Sequence, residues 1–353
     1  MQSKNQFKNK LTALCAVCGV LLLIYILSFV LSAENSQMRS SAWTILSEKS
    51  SVLAGKIEIK GNESIVLKKN GDAWFVEQQG ILYPARQEKI SEFLADLSAK
   101  GSYALRASSG NAFKNFGLDA ASAKRIIING QDDGILLDLL LGNTDSERNI
   151  YVARNGENEA RLGKDIFSAY LGGSVTTWED LRFFPNLREQ KLSAASIQRV
   201  IVYQDKPAVF ADKDLLLTYD AENTEAEAEN EGEKLEPKAD WTLERSNDGW
   251  KFADSSAADK SKAEIYVQGI LDSSGESFSS EIKTDDPAFI KEGKVPGRII
   301  LEAGDGSRYT ITLGPKSGER RTALVSGVDY VFTLADWTIN RLWKYKNELS
   351  SEN

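Results

Sequence analysis

A single uncharged stretch, Leu11 to Leu31 (LTALCAVCGVLLLIYILSFVL), constrains this chain more than any other. As a helix its 21 residues would span roughly 30 Å, the thickness of a bilayer's hydrocarbon core, with every backbone hydrogen bond satisfied internally. The competing reading is a buried helix of a soluble domain, but such helices keep a polar stripe and this run has none. Lys4, Lys8 and Lys10 precede it with no acid among them, which holds residues 1–10 in the cytoplasm and sends everything after residue 31 outside. The expectation is a single-pass protein of the cytoplasmic (inner) membrane with an extracytoplasmic body. Leu31-Ser32-Ala33 would also serve as a signal-peptide cleavage site, but a signal peptide's apolar core is shorter than this run, so an uncleaved anchor is expected.

Cys15 and Cys18 are the only cysteines, and both lie inside the apolar run. With no histidine in the chain to complete a metal site, their CxxC spacing reads as helix packing. The lack of histidine also removes Ser-His triads and histidine general bases. A formal net charge of -8 makes nucleic acid a poor partner. About 300 residues follow the anchor, enough for two domains whose cores must form without disulfides.

Residues 32–54 read as a stalk. From 55 to 190 the pattern is that of a first α+β module. Ile57 and Ile59 alternate with charges, and Asn70-Gly71 separates two β-rich runs, the second containing Trp74, as a tight hairpin turn would. Ile90, Phe93, Leu94 and Leu97 fall on one face of a helix over 86–99. Apolar runs at 125–128, 135–141 and 149–153, broken by Asn, Asp and Gly, read as antiparallel strands, and 165–171 as a short helix.

Residues 191–346 repeat the plan. Strands are expected at 199–203, 208–210, 241–244 and 250–252, a helix at 261–271, strands at 297–301, 308–314 and 323–325, and a closing helix at 334–343. Trp74 and Trp250, like Gly142 and Gly314, recur at a near-constant offset, so the chain reads as a duplicated module. Residues 220–238 form an acidic, alanine-rich insertion too poor in apolar bulk to build a core, and 347–353 a polar tail. The fold class is therefore α+β: an N-terminal transmembrane helix, then two related modules of antiparallel sheet with packed helices.

No segment names a reaction. Gln131-Asp132-Asp133-Gly134 and Gly304-Asp305-Gly306 contain fragments of calcium loops but sit where hairpins turn. Glu179, Asp180 and Asp336 could supply paired carboxylates for a glycosidase, although such pairs arise freely in a chain with 51 acids. Trp74, Trp178, Trp241, Trp250, Trp337 and Trp343 could line a sugar groove, but packing of sheet against helix explains them better. No catalytic, cofactor-binding or metal-binding residue is assigned, and no cofactor is expected.

The order of several short motifs carries a resemblance. Ile57 and Ile59, Trp74, Phe116-Gly117-Leu118-Asp119, Leu141-Gly142-Asn143, Tyr151-Val152 and the closing Trp178-Glu179-Asp180-Leu181-Arg182 together resemble the bacterial domain-of-unknown-function family 4340. The second module matches more loosely: Leu313-Gly314 is kept, Phe-Gly-Leu-Asp is missing, and the closing segment reads Trp337-Thr338-Ile339-Asn340-Arg341. The resemblance implies an envelope protein linked to gliding-type ABC transport systems, and no catalytic residues. The expected function is thus a non-enzymatic, membrane-anchored accessory or scaffold protein with a membrane protein partner such as an ABC permease or auxiliary subunit. An envelope polysaccharide-binding module is the alternative, and a carboxylate-dependent hydrolase stands third.

Overall fold

The computed structural model describes residues 17–28, 42–185, 187, 192–204, 239–286, 289 and 296–351. The body is organised as two units, Met1–Trp178 and Glu179–Asn353. Each is built on one antiparallel sheet accompanied by few helices.

In the first unit the strands and helices run β1 (Ala42–Thr44), α1 (Glu48–Leu53), β2 (Ala54–Lys60), β3 (Ser64–Asn70), β4 (Ala73–Gln78), β5 (Ile81–Pro84), α2 (Gln87–Ser98), β6 (Lys100–Ala107), β7 (Lys124–Gly130), β8 (Ile135–Thr144), β9 (Asn149–Arg154), β10 (Ala160–Lys164) and α3 (Ser168–Leu171). The sheet order is β1-β6-β10-β9-β8-β7-β2-β3-β4-β5. Period-2 alternation puts Ile57 and Ile59 of β2 in the core, between Leu67 and Ile65 of β3 and Ile128 and Ile126 of β7. The hairpin turn at Gly71 has φ +60, as its Asn-Gly sequence requires. Helix α2 closes this core with Ile90, Phe93 and Leu97, all fully buried. Each such side chain contributes about 1.5–3 kcal/mol by leaving water.

The second unit contains β11 (Ile197–Tyr203), β12 (Trp241–Ser246), β13 (Gly249–Phe252), α4 (Lys260–Leu271), β14 (Ser277–Phe278), β15 (Arg298–Ala303), β16 (Arg308–Ser317), β17 (Arg320–Val325), β18 (Val331–Leu334) and α5 (Asp336–Leu342). Its order is β13-β12-β11-β15-β16-β17-β18-β14. The two sheets share one topology. β11 stands where β2 does, flanked by β12-β13 as β2 is by β3-β4. On the other side β15 to β18 follow as β7 to β10 do, and the strand after the long helix, β6 or β14, lies beyond them. β5 has no counterpart among the described strands of the second unit.

Three differences from the sequence-based expectation have physical causes. The stalk expected over 32–54 is shorter, because β1 pairs with β6 and Ile45 and Leu46 are buried in the first core. Trp43 is wedged there beside Tyr103, with Arg154 and Arg161 over its ring at 5.1 and 5.4 Å. The division between units falls at Trp178, earlier than residue 190: Phe183 donates its N–H to the Ser273 carbonyl and stacks edge-on against Phe332, so this stretch already belongs to the second unit. Strand β6, in a stretch rich in Gly, Ser and Ala, carries one buried aromatic, Tyr103, and little alternation to reveal it.

Residues 17–28 are helical. No helix among the described residues is long and apolar enough to cross a membrane, and 11–16 and 29–31 of the apolar stretch lie outside them. The expected strand at 208–210 and the acidic insertion 220–238 also lie outside the described residues.

Candidate functional site

The carboxylates named from sequence are largely occupied by structural roles. Asp180 accepts from Arg182 at 2.7 Å (Nε) and 2.5 Å (Nη2), so its charge is paired by its own neighbour. Glu179 is fully buried, and Asp336 opens α5. Among the described residues no group of three acids or cysteines could hold a metal ion. The calcium-like fragments are turns: Asp132 accepts from the Gly134 N–H at 3.2 Å and Asp305 from the Ser307 N–H at 2.9 Å. The latter bond holds the Asp305 carboxyl below the usual range.

Five of the six tryptophans named from sequence are core residues. Trp74, Trp178, Trp241, Trp250 and Trp343 are buried, whereas Trp337 is 60% exposed. Trp337 donates to Glu276 at 3.2 Å, and Arg341 lies over its ring at 5.2 Å. The closing segment of the second unit therefore buries Trp343 at the end of α5, and Trp337, aligned by motif with buried Trp178, faces water. Within the first turn Trp337 takes the outward face and the adjacent Thr338 the buried one, and the chain at the helix C-terminus returns to α4, where Tyr266 donates to the Leu342 carbonyl at 2.6 Å.

The short motifs converge on one place in the first unit. Phe116 stacks on Tyr151 at 4.4 Å and 11°. Gly117 ends the 3-10 turn Gly110–Phe116 in the left-handed region, φ +67, with Asn143 packed where its Cβ would be. A methyl group on Gly142 would run into the Phe116 carbonyl oxygen. Leu118, Ala153 and Ala160 form a small second core under that turn, and Asp119 accepts from the Ala121 N–H at 3.1 Å to start the next one. These residues shape backbone and packing.

A shallow, open cleft of about 410 Å³ lies between α1 and α2. Leu94, Ala95 and Val52 give it an apolar floor, and Ser51, Ser91 and Ser98 border it. Ser91, Ala95 and Ser98 lie one and two turns apart on α2, so their small side chains leave room for a close backbone approach. Ser51 donates to the Glu48 carbonyl and Ser98 to the Leu94 carbonyl, both at 2.8 Å, so these two hydroxyls are already satisfied. What remains suits an apolar helix better than a polar metabolite. Beside α2, burial and the Asp96 carboxylate push the hydroxyl of Tyr170 in α3 up to about 12, and on α2 burial lowers Lys89, which sits over the Trp178 ring.

The chain matches the family described as "Domain of unknown function (DUF4340)" over residues 74–288, more than half of its length. It belongs to the DUF4340 family. No curated protein and no solved structure matches it. The DUF4340 span begins at Trp74 in β4 and takes in the whole motif cluster and α2, but leaves α1 and the Trp337 helix outside.

The α1–α2 cleft was not legible in the sequence. Val52 stood in the expected stalk, and the small face of α2 was visible only as the polar side of an amphipathic helix. The signal that could have found it is the spacing of Ser91, Ala95 and Ser98.

Proposed function

We propose that this DUF4340 chain is a non-enzymatic, single-pass accessory protein of the cell envelope that holds a membrane protein complex, of the ABC transport type, through its extracytoplasmic units. One observation carries the reading. Along residues 17–28, Val17, Val20, Leu21, Leu22, Leu23, Ile24, Tyr25, Ile26 and Leu27 are between 49% and 72% exposed on a helix that no core receives. Leaving such side chains in water costs about 1.5–3 kcal/mol each, and lipid removes that cost. The α1–α2 cleft then offers an apolar helix of the partner a seat on the unit that follows the tether.

Affinity capture from detergent-solubilised membranes tests this. The expected result is co-recovery of a permease and an ATPase, reduced by Ala95→Trp, which fills the cleft. Repeated recovery of the chain alone overturns the proposal.

A second reading, binding of an envelope polysaccharide, is favoured by Trp337. Its indole is fixed by Glu276 and Arg341 yet open to water, the arrangement a sugar ring stacks on. Trp337 emission that responds to no cell-wall glycan would remove it.

A further inference from the structure

We draw no further inference here: the strongest candidate, the side-chain cluster on the rim of the second unit in which Glu276 accepts from the Trp337 indole at 3.2 Å and pairs with Arg320 at 2.9 Å, belongs to the site already described, and nothing in the structure shows what covers it.

Discussion

Arg125 grips Asp138 across β7 and β8 with two parallel hydrogen bonds, Nε to Oδ1 at 2.6 Å and Nη2 to Oδ2 at 2.5 Å. The two residues are diagonal neighbours, since Arg125 stands opposite Leu140 and Asp138 opposite Ile127. Asn155 adds a third donor to the same carboxylate at 2.8 Å. The Arg125 hydrogen bonds hold the Asp138 carboxyl below its usual range, with Asn155 helping and burial opposing.

A folded-state value below the unfolded one means stability that is present above the unfolded pKa of about 3.9 and lost as pH falls through the folded value. Asp138→Asn should therefore cost about 1 kcal/mol at neutral pH, the figure for a well-aligned but partly solvated pair. Urea denaturation at a series of pH values checks this: the two proteins should differ at pH 7 and converge in acid. A constant difference at every pH would contradict it.

Trp178 is fully buried, 5.7 Å edge-on from Phe93 and beneath the Lys89 ammonium at 4.5 Å. Trp178→Ala should destabilise the first unit by about 3–5 kcal/mol, because the cavity left behind cannot fully collapse. Equilibrium unfolding in urea measures it, and a loss under about 1 kcal/mol would mean that the indole does not fill the core.

Trp337→Ala removes an equally large side chain from the rim and should change stability by less than about 0.5 kcal/mol. Iodide quenching should fall in the same variant, since Trp337 is the exposed member of the six tryptophans named from sequence. Quenching that stays the same would place the accessible indole elsewhere.

Gly142→Ala should destabilise by about 1–3 kcal/mol, the usual cost of forcing a methyl group into packed structure. The obstacle is the backbone carbonyl of Phe116, which cannot swing aside as a side chain would. Thermal unfolding measures the loss. Its counterpart Gly314 faces Phe289 and the Thr322 hydroxyl, so Gly314→Ala should show a loss of similar size.

Local pattern made much of this fold legible. The hairpin around Gly71, the core faces of α2 and α4, and the strands bearing Ile126, Ile128, Leu137 and Leu139 all follow from alternation or 3.6-residue spacing. β1 and β6 escaped because what stabilises them is distant: β1 exists by pairing with β6, and Trp43 is held by arginines from β9 and from β10. The exposed position of Trp337 escaped because a motif gives order along the chain and not the face of the helix that carries it. The clustering of exposed Leu53 and Ile135 was invisible for a related reason, as they become neighbours only through the register of β2, β7 and β8.

The shared topology bears on how each unit reaches its folded state. The strand that follows the long helix, β6 or β14, pairs with the last strand of the meander, β10 or β18, and β6 pairs in addition with β1, which is made before it. Closing that edge means bringing together segments far apart in sequence, the step that costs most loop entropy and slows sheet proteins most. A chain made from its N-terminus thus leaves the second edge of β6 open until β10 has followed it, and then meets the same delay again with β14 and β18. Synthesis in one direction sets the order of completion, first unit before second, and leaves each sheet open until its final strand has been made.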